Sequence, residues 1–224
     1  DRIKDSAKQK GTGRWASIEA LKQGVDISMI TSACTARIMS NHLDEREKAW
    51  QLIHSPAVGL SPDKESFAAM VREALYTGKI IAYAQGFSLM QDASRLYGWN
   101  LDLGKIASIF RAGCIIQAVF LNDITHAFEA EPKPENLIFD GFFLSRINEH
   151  QDSLRQAVST GVMNGLPIPA LCNAVSYLDE FRAKAAGANL IQAQRDCFGA
   201  HTYERTDREG VFHQELGWAN DNQH

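Results

Sequence analysis

The sequence of 224 residues is 45% hydrophobic and 22% charged with only six prolines, a balance that can bury a full core and leaves no long disordered stretch. A formal net charge of -4 and a pI near 6.0 give no general attraction to nucleic acid or to an anionic membrane, so any anion site must be local. No apolar run approaches the roughly 18 residues of a membrane span, and neither a nucleic-acid nor a membrane partner is predicted.

The chain opens on the polar "DRIKDSAKQK", without a methionine, which reads as the interior of a longer protein. Helical periodicity then runs nearly throughout and strand alternation is almost absent, so the predicted fold class is all-α. Residues 13–23 form a short amphipathic stretch carrying Trp15, Ile18 and Leu21, stopped by Gly24. From Asp26, the residues Ile27, Ile30, Cys34 and Ile38 step along one helical face.

"SPDKE" is a helix start, with Ser61 as N-cap and Pro62 at the first position. Phe67, Met70, Val71, Ala74 and Leu75 follow at the spacing of a buried face, and "KIIAYAQGFSLM" is apolar on most sides, as expected of a central helix enclosed by others. Asp102 is placed to cap a long segment in which Ile106, Ile109, Phe110, Gly113, Ile116, Phe120, Ile124 and Phe128 recur at helical spacing, until the prolines of "EPKPEN" end it. Phe143, Ile147, Leu154 and Val158 mark the next helix, Leu171, Val175 and Leu178 another, and a shorter piece follows Gly187. Beyond Arg195 the tail "DCFGAHTYERTDREGVFHQELGW" has no apolar face of its own, which predicts that something else covers it.

Candidate chemistry is sparse. Cys34, Cys114, Cys172 and Cys197 lie far apart, without the paired spacing of structural zinc, and read as reduced thiols of a cytosolic protein. None of the seven histidines pair at the spacing that puts two imidazoles on one helical face, so no metal site is expected. His42 and His150 read as solvated polar residues.

"KQKGTGRW" at 8–15 is neither a P-loop nor a dinucleotide fingerprint. Two readings stay open: a glycine turn whose backbone N–H groups and Lys10 hold an anion ahead of a helix, or an ordinary loop. Arg37, on a face otherwise small or apolar, either snorkels outward or meets an acid or an anion. Arg195 and His201 are a phosphate- or carboxylate-binding pair, or a surface arginine and a capping histidine.

Four segments, "IKDSAKQKGTGRW" (3–15), "YAQGFSLM" (83–90), "RAGCIIQAVFL" (111–121) and "RDCFGAHTYERTDREGVFH" (195–213), resemble the C-terminal part of the 6-phosphogluconate dehydrogenase family in that family's order and spacing. The resemblance implies an all-helical dimerisation and substrate-binding domain over residues 1–194 and a tail, residues 195–224, reaching into the partner subunit of a homodimer. It implies that Lys10 and Arg37 bind 6-phosphogluconate, with Thr12 beside them, and that Arg195 and His201 complete the same site from the neighbouring chain. The cofactor it implies is NADP, held mainly by an N-terminal domain expected upstream of Asp1, together with the groups that exchange protons. This chain alone is therefore expected to be inactive, with no catalytic residue of its own. The family's usual small residue at Lys8 and tyrosine at Cys197 are departures that leave the charged groups in place. The rival reading is a catalytically inactive helical dimerisation module without a ligand.

Overall fold

The computed structural model describes residues 2–55, 59 and 63–213, which fall into two compact units divided between Leu178 and Asp179. In the first unit the chain runs α1 (Thr12–Gln23), α2 (Ser28–Met39), α3 (Leu43–Leu52), α4 (Lys64–Tyr97), α5 (Leu103–Ile109), α6 (Leu121–Glu129), a 3-10 turn (Leu137–Phe139), α7 (Gly141–Met163) and most of α8 (Pro169–Arg182). The second holds α9 (Ala188–Gly199) and a hairpin of two-residue strands, β1 (Tyr203–Glu204) and β2 (Val211–Phe212), pairing Tyr203 with Phe212 and Glu204 with Val211. No described helix is long and apolar enough to cross a membrane.

The 34-residue α4 is the axis of the first unit, and α7 packs along it. It starts because the Asp63 carboxylate accepts the N–H groups of Glu65 and Ser66, two orphan donors of the first turn. The expected cap Ser61 and Pro62 lie outside the described residues. Ile80, Ile81, Tyr83, Ala84, Gln85 and Phe87 are buried, and no residue from Ile80 to Met90 is exposed, as a stretch apolar on most sides predicts. Aromatic edges lock this layer: Phe120 meets Tyr76, Tyr83 and Phe143 edge-on with ring centroids 5.6, 5.4 and 5.8 Å apart. Gly78 admits a close approach, since a Cβ there would stand 2.8 Å from the Leu171 side chain.

Two expectations are corrected. The periodic segment from 102 to 128 is two helices, α5 and α6, separated by a loop in which Gly113 adopts a left-handed φ of 66°. Side chains of α4 hold that loop open: Lys79 Nζ donates to the Gln117 carbonyl at 2.8 Å and the Tyr83 hydroxyl donates to that of Ile116. In α1, the expected apolar residues Trp15, Ile18 and Leu21 are exposed, and Ala20 is the buried residue. Helical spacing identifies a face, but not whether this chain covers it.

Candidate functional site

In the first unit the site begins with the segment leading into α1. Gly11 takes a left-handed φ of 102° as N-cap and offers no side chain to the first turn, so the leading N–H groups of α1 have no side-chain cap. Thr12 opens the helix, Lys10 precedes it, and both are exposed. The preceding residues are fastened to the C-terminal half of α2. Ala7 N–H donates to Ser40 Oγ at 2.9 Å, Asn41 Nδ2 to the Ala7 carbonyl at 3.2 Å, and Cys34 Sγ to Gln9 Oε1 at 3.3 Å.

Arg37, in the last turn of α2, donates from its guanidinium to the Lys8 carbonyl. Its side chain thus reaches outward, as snorkelling requires, and lands on the backbone of the loop that carries Lys10. The contact ties Arg37 to the segment that carries Lys10 and leads to Thr12. Lys8, noticed in the sequence only as a departure, thus meets Arg37 through its backbone carbonyl, on the segment whose Lys10 leads into the uncapped first turn of α1, the kind of helix start that suits an anion.

The placement of α2 is itself built in. Its N-cap position is Ile27, which offers no side-chain acceptor; Asp26 Oδ1 takes the Ser28 N–H at 2.6 Å, and α4 supplies the acceptor for the next one. Gln85 Oε1 takes the Met29 N–H at 3.1 Å while its amide nitrogen donates to Ser28 Oγ at 3.3 Å. Between α1 and α2, Thr31 Oγ1 donates to Ser17 Oγ at 3.1 Å, and a Cβ at Gly13 would lie 3.6 Å from Cys34.

In the second unit Arg195 and His201 line one open cleft of about 430 Å³ with Gln194, Phe198 and Gly199. The arginine projects from the last turns of α9, and the histidine follows the left-handed residue, Ala200, that ends the helix. A Cβ at Gly199 would come within 3.0 Å of the imidazole, so the absence of a side chain there is part of how the ring fits. Arg195 is steadied by Gln192, whose Oε1 accepts from its NH1 at 3.1 Å. Asp196 was not singled out by sequence, yet it is 2% exposed; a carboxylate in a charged tail carries no periodic sign of burial.

Elsewhere, His150 is half-buried rather than solvated. Its ring lies 3.8 Å from Glu73 and 3.7 Å from Glu149 and edge-on to Tyr76. Burial raises the Tyr76 phenol above its ordinary range. Among the described residues no three His, Cys, Asp or Glu side chains come together as metal ligands.

Comparison with known proteins places this geometry in a family. The 6-phosphogluconate dehydrogenase C-terminal domain matches residues 1–216. A protein of Lactococcus lactis subsp. lactis and one of Staphylococcus aureus strain N315, each called 6-phosphogluconate dehydrogenase, decarboxylating, are each 48% identical over 213 residues. These matches take in 95% of this chain and 45% and 46% of those proteins, so the chain spans less than half their length. A Plasmodium falciparum 6-phosphogluconate dehydrogenase, solved apo, with its cofactor NADP+ and with its substrate 6-phosphogluconate, superposes with a TM-score of 0.90 at 39% identity, over 96% of this chain and 46% of that one.

Proposed function

Since the chain belongs to the 6-phosphogluconate dehydrogenase family as its C-terminal domain, we propose that it supplies the substrate-binding and dimer-forming part of the enzyme that oxidatively decarboxylates 6-phosphogluconate to ribulose 5-phosphate with NADP in the cytoplasmic pentose phosphate pathway. Residues 1–194 act as the helical domain and residues 195–224 as a tail reaching a second copy. Lys10, Thr12 and Arg37 of one protomer, with Arg195 and His201 of its partner, hold the phosphorylated sugar acid.

The observation that supports the reading is the contact of Arg37 with the Lys8 carbonyl, which ties the arginine of α2 to the segment carrying Lys10. A stand-alone helical module without a ligand gives no reason for cations at that junction. The chain's own residues bind and orient. Lys10 and Arg37 neutralise anionic oxygens, the uncapped N–H groups of α1 add donors, and Arg195 offers a planar fork to phosphate or carboxylate.

The described residues do not fit NADP. The two short strands form an antiparallel hairpin, and among the described residues no strand leads through a glycine turn into a helix as a dinucleotide site requires.

Mixing single variants tests the reading. In the full-length protein, Lys10→Ala and Arg195→Ala should each weaken 6-phosphogluconate binding about tenfold or more, the order of one charge-assisted contact. Subunit exchange between the two should restore activity, because each hybrid dimer then holds one site with both residues intact. Mixtures no more active than their parents would show that the site is not shared. Normal binding in both variants would favour the dimerisation module without a ligand.

A further inference from the structure

His201 sits in a turn that its sequence disfavours. The residues on either side, Ala200 and Thr202, have φ of 52° and 61°, the left-handed region that L side chains seldom occupy and that persists only where the surroundings over-determine it. Neither is a glycine. The surroundings that do so are concentrated on one buried carboxylate.

Asp196 Oδ1 accepts the Thr202 N–H at 2.8 Å and lies 2.8 Å from His213 Nδ1 on the far arm of the hairpin. Its backbone carbonyl accepts the Ala200 N–H, also at 2.8 Å. Gln192 closes the turn from the other side, donating from Nε2 to the Thr202 carbonyl at 2.6 Å while its Oε1 holds Arg195. Gln192 thus ties the turn that carries His201 to the arginine beside it.

We infer that Asp196, backed by His213, is a positioning residue for substrate binding: it holds the left-handed turn that aims His201 into the cleft shared with Arg195. A buried carboxylate accepting from both a backbone N–H and an imidazole is a stronger clamp than a neutral side chain of the same size. A misplacement of about 1 Å at such a contact is enough to lose much of its value. The inference rests on the reading above that His201 contacts 6-phosphogluconate.

The experiment is a double-mutant cycle in the full-length protein, read by KM and kcat for 6-phosphogluconate. His201→Ala and Asp196→Ala should each raise KM about tenfold with a much smaller change in kcat. Their combination should be little worse than His201→Ala alone, because the aspartate acts through the histidine. Replacing both Ala200 and Thr202 with glycine in the Asp196→Ala background should recover part of the lost affinity, since glycine reaches the left-handed region without the clamp.

Lowered thermal stability with unchanged KM in Asp196→Ala, or effects of the two single variants that multiply, would overturn the inference. An unchanged KM in His201→Ala would remove the substrate reading itself, and the positioning role with it. Should Asp196→Ala fail to fold, Asp196→Asn and His213→Ala enter the same cycle with smaller expected shifts of the same kind, and their failure to couple to His201 counts against the inference equally.

Discussion

Gln85 lies fully buried in α4, in a stretch that reads from sequence as a helix apolar on most sides. Its amide adds to the local cap of α2, where Asp26 takes the Ser28 N–H, an acceptor for the Met29 N–H from 56 residues along the chain. Replacing it with methionine, which matches its shape but accepts no strong hydrogen bond, leaves the buried Met29 N–H without its acceptor. The expected loss is about 1–3 kcal/mol in urea unfolding; on the proposed function 6-phosphogluconate binding also weakens, because α2 carries Arg37. Asp63 titrates in a way that can be followed. The Ser66 hydroxyl, then the N–H groups of Ser66 and Glu65, hold its carboxyl below the ordinary 3.8. A carboxyl depressed in the folded state stabilises above its unfolded pKa, and that contribution disappears as pH falls through the lowered value. Asp63→Asn should therefore flatten the stability curve in the acid range below 3.8, measured as unfolding midpoint against pH. At this scale Lys10, Arg37, Arg195 and His201 were singled out by the segments that resemble the family, since each taken alone also reads as an ordinary surface or capping residue. Gln85 and Asp196 were not, since their partners are backbone N–H groups that no side-chain pattern announces.

The helices were legible wherever a stop residue or a cap is written locally. Gly24 ends α1 in the left-handed conformation, and Asp140 starts α7 by accepting from Phe142 and Phe143 N–H at 3.0 and 3.4 Å. Asp140→Ala should cost about 1 kcal/mol, visible as a shift in denaturant midpoint without a change in slope. Between α5 and α6 the local signal misled, because Ile109, Gly113, Ile116 and Phe120 keep helical spacing through a loop. Spacing survives there while the backbone does not, since Lys79 and Tyr83 claim the carbonyls that a continuous helix would use. Gly113 decides the matter in favour of the loop. Its φ of 66° should make Gly113→Ala destabilising by about 1–2 kcal/mol, whereas a helical residue at that position would gain from the same change. Unfolding of this single variant distinguishes the two backbones.

Each unit leaves large apolar side chains in water. In the first, Trp50, Ile115 and Val119 are 77%, 101% and 86% exposed, and in the second Leu190 and Phe198 are 73% and 70% exposed. Scattered exposure is ordinary, but the loop that α4 props open presents Ile115, Ile116 and Val119 together, at the expense of the helix their spacing would otherwise form. On the proposed homodimer, a second copy covers such surface, and folding and association become linked. The midpoint of thermal unfolding should then rise with protein concentration, and dilution by about a hundredfold should lower the apparent stability by roughly 2.7 kcal/mol. Ile115→Asp should leave helical content intact while shifting sedimentation toward the monomer, because a charge on an exposed loop side chain costs nothing until a partner buries it. A midpoint independent of concentration, with Ile115→Asp sedimenting as the parent does, would mean that this loop faces solvent and that the site must be completed within one chain.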